Sequence, residues 1–558
     1  DWLHGSAKYA FDYYNTTFKT TDITKCLDVT TLDEQKQDRL DRSESRFFEQ
    51  NAEFMLLGNN NIGDRIQIGY SLGSNIMIQQ RTGLDAFSVN MRKKLVWQMN
   101  SALGVNGANA SYMKKQINSV FGTFQFTFDN YLTLDLTARN DWSSTLPSNN
   151  RSFFYPSANL SFVVSDFIRN QNWALPAWLT FAKVRLSAAQ VGKDTDPYQL
   201  CNWLNYKQNG NTGDLTSPDT SIRANATLKP EISTSYEGGL ELKFLQNRLG
   251  IDFTYYNSRT KNQVLIVPMT GSFNGKYINA GLVSNKGVEL MLYGTPVKTK
   301  DFSFDLTINM AHNLSEVVEL TPEKKEVIFN EGESNFIIDV GAREGGKLGD
   351  IYPIQSYKRD NNGNIIIRDG YPLIEESKGN DRKAIGNIQP KLLMSVTPSF
   401  AYKGIYLTAL FDMKFGGDIV SMSESVATNY GMAKRTENRG TITVKGVNED
   451  GTPNTTAVDA ESYYKRIANV AEEFLYDASF IKLKELSLGY SFPKTLLKKT
   501  PFNSLKVAFV ARNLCYLMSH TPGTSPEGGY DTTMFSQAFD FTSIPYTRTL
   551  GFSVNVGF

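Results

Sequence analysis

A strict two-residue repeat limits what this chain can fold into. From Thr549 to Phe558 the even positions are Leu550, Phe552, Val554, Val556 and Phe558, and the odd positions are Thr549, Gly551, Ser553, Asn555 and Gly557. Such alternation gives a strand one apolar face and one polar or small face. Leu132, Leu134 and Leu136 alternate in the same way with Thr133, Asp135 and Thr137, as do Leu240, Leu242 and Phe244 with Gly239, Glu241 and Lys243. Leu249, Ile251, Phe253 and Tyr255 alternate with Gly250, Asp252, Thr254 and Tyr256, and Phe302 to Met310 repeats the pattern against Ser303, Asp305, Thr307 and Asn309.

A soluble sandwich alternates too, so length and linkage must separate the two. These runs are roughly 10 to 12 residues, against about 5–6 in globular proteins, and a tilted strand needs about 9–11 to cross a bilayer. Counting back from Phe558 places about 16 strands, joined by links of two kinds. Short links fall at Asp129-Asn130, Gln246-Asn247, Gly294 to Asp301 and Lys403-Gly404. Long links fall at roughly 15–44, 75–115, 192–233, 259–285, 314–391, 416–479 and 516–547 on the opposite side, the arrangement of an outer-membrane barrel with extracellular loops. The expected fold is all-β: a transmembrane antiparallel β-barrel portion spanning 1–558. The chain lacks a run of about 18 apolar residues, which excludes a spanning helix and leaves a barrel open.

Charges on the strands then have a predicted side. A Lys or Arg facing lipid at mid-depth costs about 2–4 kcal/mol and an acid somewhat less, so Asp135, Glu237, Glu241, Lys243, Asp252, Glu289 and Asp305 are expected to face the lumen. Lys+Arg is 58 and Asp+Glu 57. That near-neutral balance argues against a polybasic nucleic-acid binder. Three scattered cysteines (Cys26, Cys201, Cys515) and three histidines (His4, His312, His520) make neither a disulfide framework nor a His-rich metal site. No metal, cofactor or catalytic residue is expected.

Three motifs invite other readings. Gly69-Tyr70-Ser71-Leu72-Gly73 matches a nucleophile elbow but sits inside an alternating run with no helix after it, so it reads as strand. Asp360-Asn361-Asn362-Gly363-Asn364 lacks the spacing and the late Glu of a calcium loop, and reads as an Asn-Gly hairpin projecting from the longest loop. Gly345-Gly346-Lys347-Leu348-Gly349 lacks the Walker spacing and reads as loop. Tyr198, Trp203 and Tyr206 cluster with Asn202, Asn205, Gln208 and Asn209 in one long loop. Aromatic faces with amide neighbours suit sugar rings or peptide backbones, and equally loop self-packing or a protein interface. Trp142 and Tyr155 lie near strand ends, where an interfacial girdle accounts for them.

Several stretches resemble one family. Arg139-Asn140-Asp141-Trp142-Ser143-Ser144-Thr145-Leu146-Pro147, Tyr155-Pro156-Ser157 and Ser165-Asp166-Phe167 resemble the SusC/RagA family of TonB-dependent outer-membrane transporters. So do Leu228-Lys229-Pro230-Glu231, Ser235 to Gly239, Asn279-Ala280-Gly281, Asn285 to Glu289, Asp477 to Leu483 and Ala511 to Leu514. The ending resembles that family's last strand. The resemblance implies that Leu550, Phe552, Val554, Val556 and Phe558 signal to the barrel-assembly machinery.

Membership would imply a barrel of about 22 strands in outer-membrane lipid, a plug and TonB box, and energy from TonB. It would also imply a SusD-like lipoprotein lid, pairing of the transporter–lid unit into a dimer, and glycan, oligosaccharide or peptide cargo. The sequence contains neither plug nor TonB box and about six strands fewer. It also opens Asp1-Trp2-Leu3 without Met or a signal pattern. It therefore reads as the C-terminal portion of a longer importer, or as a barrel completed by a second chain. A passive porin-type channel and a scaffold of a larger outer-membrane complex are the rival functions.

Overall fold

Antiparallel pairing turns the alternating runs into long hydrogen-bonded ladders. In a computed structural model the chain is described over residues 2–22, 39–89, 107–202, 204–205, 217–218, 222–268, 273, 275–321, 325–328, 336–377, 382–529, 535–541, 543 and 545–558. Sixteen long strands and the two-residue strand Ile222–Arg223 belong to one sheet. The long ones are β1 Leu3–Asp22, β2 Arg39–Ile62, β3 Ile66–Val89, β4 Gly107–Phe128, β5 Leu132–Ser143, β6 Ser152–Val163, β7 Leu179–Lys193 and β8 Glu231–Phe244. They continue with β9 Leu249–Pro268, β10 Gly275–Lys298, β11 Phe302–Glu319, β12 Leu392–Tyr402, β13 Ile405–Phe415, β14 Phe480–Ser491, β15 Ser504–Ser519 and β16 Thr549–Gly557.

The chain divides into two compact units. The first comprises residues 1–160, 188–234 and 262–279, and the second 161–187, 235–261 and 280–558. In the first unit β1 to β5 pair in sequence order, and register places apolar side chains opposite one another, as in Leu56↔Leu72 and Phe124↔Leu136. In the second, β10 to β16 form a ladder in which Leu290, Met310, Met394, Met413, Ile481 and Met518 share one row. The last strand closes on β15 with Phe552 opposite Phe509. The Gly69 to Gly73 segment lies within β3, where the Ser71 hydroxyl shares a 2.7 Å hydrogen bond with Thr123. It is not a strand-to-helix turn.

The short links take the conformations their residues suit. Asp129 and Asn130 have φ of 48° and 60°, and Lys403 and Gly404 have 47° and 92°, matching tight hairpin turns in which both central residues are left-handed. Two links on the same side are longer and carry short helices, Val164–Asn170 and Lys494–Leu497. On the long-link side, the β5–β6 connection is only the short segment 144–151.

Strands reach into three of the expected long loops. The β3–β4 ladder runs to Phe87↔Gly107, deep into 75–115, and the β1–β2 ladder runs to Asp22↔Arg39, within 15–44. β9 and β10 likewise occupy much of 259–285. Side-chain alternation fades there, at Gln79, Gln80, Arg81, Lys114 and Lys115. The backbone ladder is indifferent to side-chain polarity and continues.

Most of the buried core is in the loops of the second unit. The described residues of 320–391, 416–479 and 520–548 fold on one another. Asp418–Ser421 pairs antiparallel with Leu475–Asp477 and parallel with Phe539–Asp540, and Ile366–Arg368 pairs parallel with Val447–Asn448. Ile338, Val340, Ile351, Val420, Phe474 and Phe539 fill the centre. Among the described residues, ten of the twelve largest fully buried side chains belong to these segments, and Leu228 and Val317 are the others. A sheet with one apolar face turned outward has little to bury, so the loops must make their own core. Each fully buried aliphatic or aromatic side chain there contributes about 1.5–3 kcal/mol. The Asp360 turn belongs to this layer. The Asp360 carboxylate accepts from the amides of Asn362 and Asn364, and the strand that follows is held by its parallel partner, so the hairpin does not project alone.

Candidate functional site

The polar sheet face of the second unit carries an ion-paired cluster. Arg185 on β7 donates to Asp252 on β9 at 2.5 Å and lies 3.8 Å from Glu241 on β8, which pairs with Lys243 at 3.1 Å. Strand alternation puts these groups on one face, because Leu186, Leu240 and Phe253, one residue along, are exposed on the other. Arg185, Asp252, Glu289, Asn309, Ser395 and Asp412 line a cleft of about 540 Å³. Lys484 on β14 reaches Asp412 at 2.5 Å, and Asn309 donates to the Ser395 hydroxyl at 3.2 Å. Such a surface offers paired acceptors and donors to a polar guest and little to an apolar one.

The sequence-nominated charges divide accordingly. Glu241, Lys243, Asp252 and Glu289 come together around the cleft and its ion pairs. Asp305 accepts from Thr295 at 2.6 Å, and Asp135, in the first unit, accepts from Gln125 at 2.6 Å. Glu237 is exposed. Arg185, Asp412 and Lys484 were not nominated, although Lys183 and Arg185 alternate with Ala182, Val184 and Leu186 in the same way. The signal was present in a strand whose apolar face is weak.

A second recess lies among the loops. About 970 Å³ is lined by described residues of 513–516, 523–529 and 540–548, with Ser423 and Lys482. Lys482 is 3 % exposed, and its ammonium meets Glu527 at 2.5 Å and lies over the rings of Tyr516 and Tyr546 at 5.1 and 4.8 Å. The Tyr516 hydroxyl donates to the same Glu527 oxygen at 2.6 Å. Burial, and then the Glu527 charge, raise the Tyr546 pKa. Sequence reasoning missed this recess because most of its wall is one irregular connection without a period, closed by the distant Ser423 and Lys482.

Of the loop aromatics, Tyr198 is exposed with φ of 69°, and its hydroxyl accepts the Lys114 amide at 3.2 Å. Trp203 and Tyr206 lie outside the described residues. Leu550, Phe552, Val554, Val556 and Phe558 are all exposed, from 39 % at Val556 to 81 % at Phe558. They form one apolar stripe along and just beyond β16.

Residues that carried the family resemblance do structural work at strand ends. Tyr155 donates to Asp141 at 2.6 Å and packs beside Phe153 and Leu228, while Arg139 donates to Asp141 at 2.8 Å. Hydrogen bonding outweighs solvent contact for a phenol beside a carboxylate. Trp142 is 37 % exposed. The Asn279 amide accepts from the Lys229 amide N–H at 2.7 Å and donates to the Lys229 carbonyl at 2.8 Å. Ser479 accepts the Gly416 amide at 2.7 Å, fastening the start of β14 to the end of β13.

Comparison with known proteins agrees with this architecture. Residues 1–514 match the family model described as TonB dependent receptor-like, beta-barrel. The chain is 25 % identical over 478 residues to TonB-dependent receptor P3 of Formosa agariphila, covering 80 % of this chain and 46 % of that protein. It is 24 % identical over 464 residues to TonB-dependent receptor SusC of Bacteroides thetaiotaomicron, covering 76 % and 43 %. The chain thus spans about half the length of the curated relatives it matches. The structure of the RagAB peptide importer in its closed-closed state superposes over 100 % of this chain and 60 % of its own, with a TM-score of 0.77 at 19 % identity, a likeness of fold. With the family model matched from residue 1 to residue 514, this chain belongs to the TonB-dependent receptor-like β-barrel family.

Proposed function

We propose that the chain is the barrel part of a SusC-like, TonB-dependent importer of large nutrients, glycans or peptides, in the outer membrane of a Gram-negative bacterium of the Bacteroidetes type. A SusD-like surface lipoprotein serves as its lid. The observation that carries this reading is the pairing of an ion-paired cleft on the polar sheet face with a folded loop layer that has its own core and recess. A passive pore needs neither. Family membership, the relative named SusC and the structural likeness to a peptide importer support it. In this mechanism the loops and lid enclose the cargo, the recess and the Arg185 cluster orient it by charge and hydrogen bonds, and TonB pulls a plug aside to release it. Outer-membrane lipid solvates the apolar stripe, and the barrel-assembly machinery reads the last strand.

The test is uptake by cells producing the full-length protein. Accumulation of labelled oligosaccharide or peptide should require this protein, its lipoprotein partner and TonB together. Steady ion conductance of the purified full-length protein in planar bilayers, with uptake unaffected by TonB loss, would instead identify a passive channel.

A further inference from the structure

Asp540 is 2 % exposed and ends the short strand that pairs in parallel with Val420 and Ser421, so its backbone is fixed. It also lines the loop recess of about 970 Å³. Among the described residues, neither of its carboxylate oxygens meets a hydrogen-bond partner. Burial raises its pKa, against the hydroxyls of Ser423 and Ser421, which favour its charged form. A buried carboxylate in this state is costly unless something supplies charge and donors.

The cations nearby do not meet that need. Lys482 is committed to Glu527 and to the two tyrosine rings. Arg548, the other cation on the lining, is exposed, where solvent screens it. No group of three His, Cys, Asp or Glu among the described residues suits a metal ion. A neutral polyol brings hydroxyl donors and leaves the charge uncompensated. A primary ammonium brings three donors and the opposite charge, and Phe541 lines the same recess.

We propose that this recess binds the primary ammonium group of a transported ligand, with Asp540 as counter-ion. The inference rests on the importer reading above and narrows its ligand to one bearing a free amine, whether a lysine-containing peptide or an amino sugar.

The experiment uses the full-length transporter purified with its natural partner chain, and calorimetric titration with two matched pairs of probes. One pair is a lysine-containing hexapeptide and its fully N-acetylated form; the other is a glucosamine hexamer and its N-acetylated form. The free amine should bind at least about tenfold tighter than its acetylated partner in one pair, which also identifies the source. Asp540→Asn should abolish that preference and leave the acetylated probe unchanged. Equal affinities within both pairs, no binding of any probe, or an intact preference in Asp540→Asn would each overturn the proposal. If Asp540→Asn fails to assemble, the wild-type comparison decides alone. TonB-dependent uptake, measured separately, distinguishes the two failures: uptake intact without amine preference sinks only the Asp540 assignment, and absent uptake sinks the importer.

Discussion

The ammonium of Lys482, on β14, is paired at 2.5 Å with the carboxylate of Glu527 in the loop that precedes β16. The two are 45 residues apart in sequence. The pair fastens the connection that precedes β16 to the start of β14, in a place where Lys482 is almost sealed from water. Removing one member leaves the other charge buried, which costs about 3–5 kcal/mol, more than the intact pair contributes. Glu527→Gln should therefore loosen segment 520–548 selectively. Limited proteolysis of the purified protein should cut there first, while heat-modifiability of the barrel on gels stays near wild type. Global loss of the barrel, or no change in cleavage, would contradict this.

The loop core and the outward stripe should respond oppositely to the same truncation. Phe474 is fully buried, and Phe474→Ala should cost about 3–5 kcal/mol of loop-layer stability, read as a lower first transition in thermal unfolding. Phe552 is 79 % exposed. Phe552→Ala should leave that transition in place and reduce the amount of protein inserted in the outer membrane, measured by surface labelling.

Arg435 joins three pieces of the loop layer. It donates to Glu424 at 2.9 Å, to the Glu473 carboxylate at 3.2 Å and to the Tyr476 hydroxyl at 2.8 Å, and Tyr357 donates to Glu473 at 2.8 Å. Burial and the Glu424 hydrogen bond push Tyr476 up to about 12. Arg435→Met should destabilise the layer by about 1–3 kcal/mol per orphaned acceptor. Arg435→Lys should recover only part, since one ammonium cannot reproduce the fork. Hydrogen exchange of residues 422–429 and 471–477 is the readout.

Asp418 gives the loop layer a defined pH response. Burial first, then the nearby Asp477 charge, raise its pKa, against the Asn387 amide that lowers it. A folded-state pKa above the unfolded value means the charged form destabilises the fold at neutral pH. That penalty is relieved as pH falls through the raised pKa towards 3.8. Asp418→Asn, which keeps a carbonyl for the Asn387 amide, should stabilise the layer at pH 7, and the gain should vanish in acid. A gain that persists unchanged at low pH would rule out the titration of Asp418 as its source.

Close packing of strands over glycine is also testable. A Cβ on Gly73 would sit 2.5 Å from the ring of Phe121, its partner on β4. Gly73→Val should force that ring aside and destabilise the β3–β4 ladder by about 1–3 kcal/mol. The double variant Gly73→Val/Phe121→Ala should recover much of the loss. Thermal unfolding of all three proteins measures the coupling.

The sequence by itself determined the number of long strands, which of their faces is apolar and which links are tight turns. A two-residue repeat is local, and Asp129-Asn130 or Lys403-Gly404 carry their turn geometry in their own backbone preferences. It also placed Glu241, Lys243 and Asp252 on one face, because parity alone decides that. Tertiary structure decided which of those charges meet: the Arg185–Asp252 pair joins residues 67 apart, and register between strands is set by the whole ladder. It likewise extended β3 and β4 where polarity had ceased to alternate, and brought Tyr155 to Asp141. Above all it decided the loop layer. The core of Ile338, Ile351, Phe474 and Phe539 is drawn from three separate connections, with no common period, and burial there depends on distant segments meeting. Asp540 shows the difference most sharply. In sequence it is one acid in a loop, and only the fold leaves it buried beside a recess.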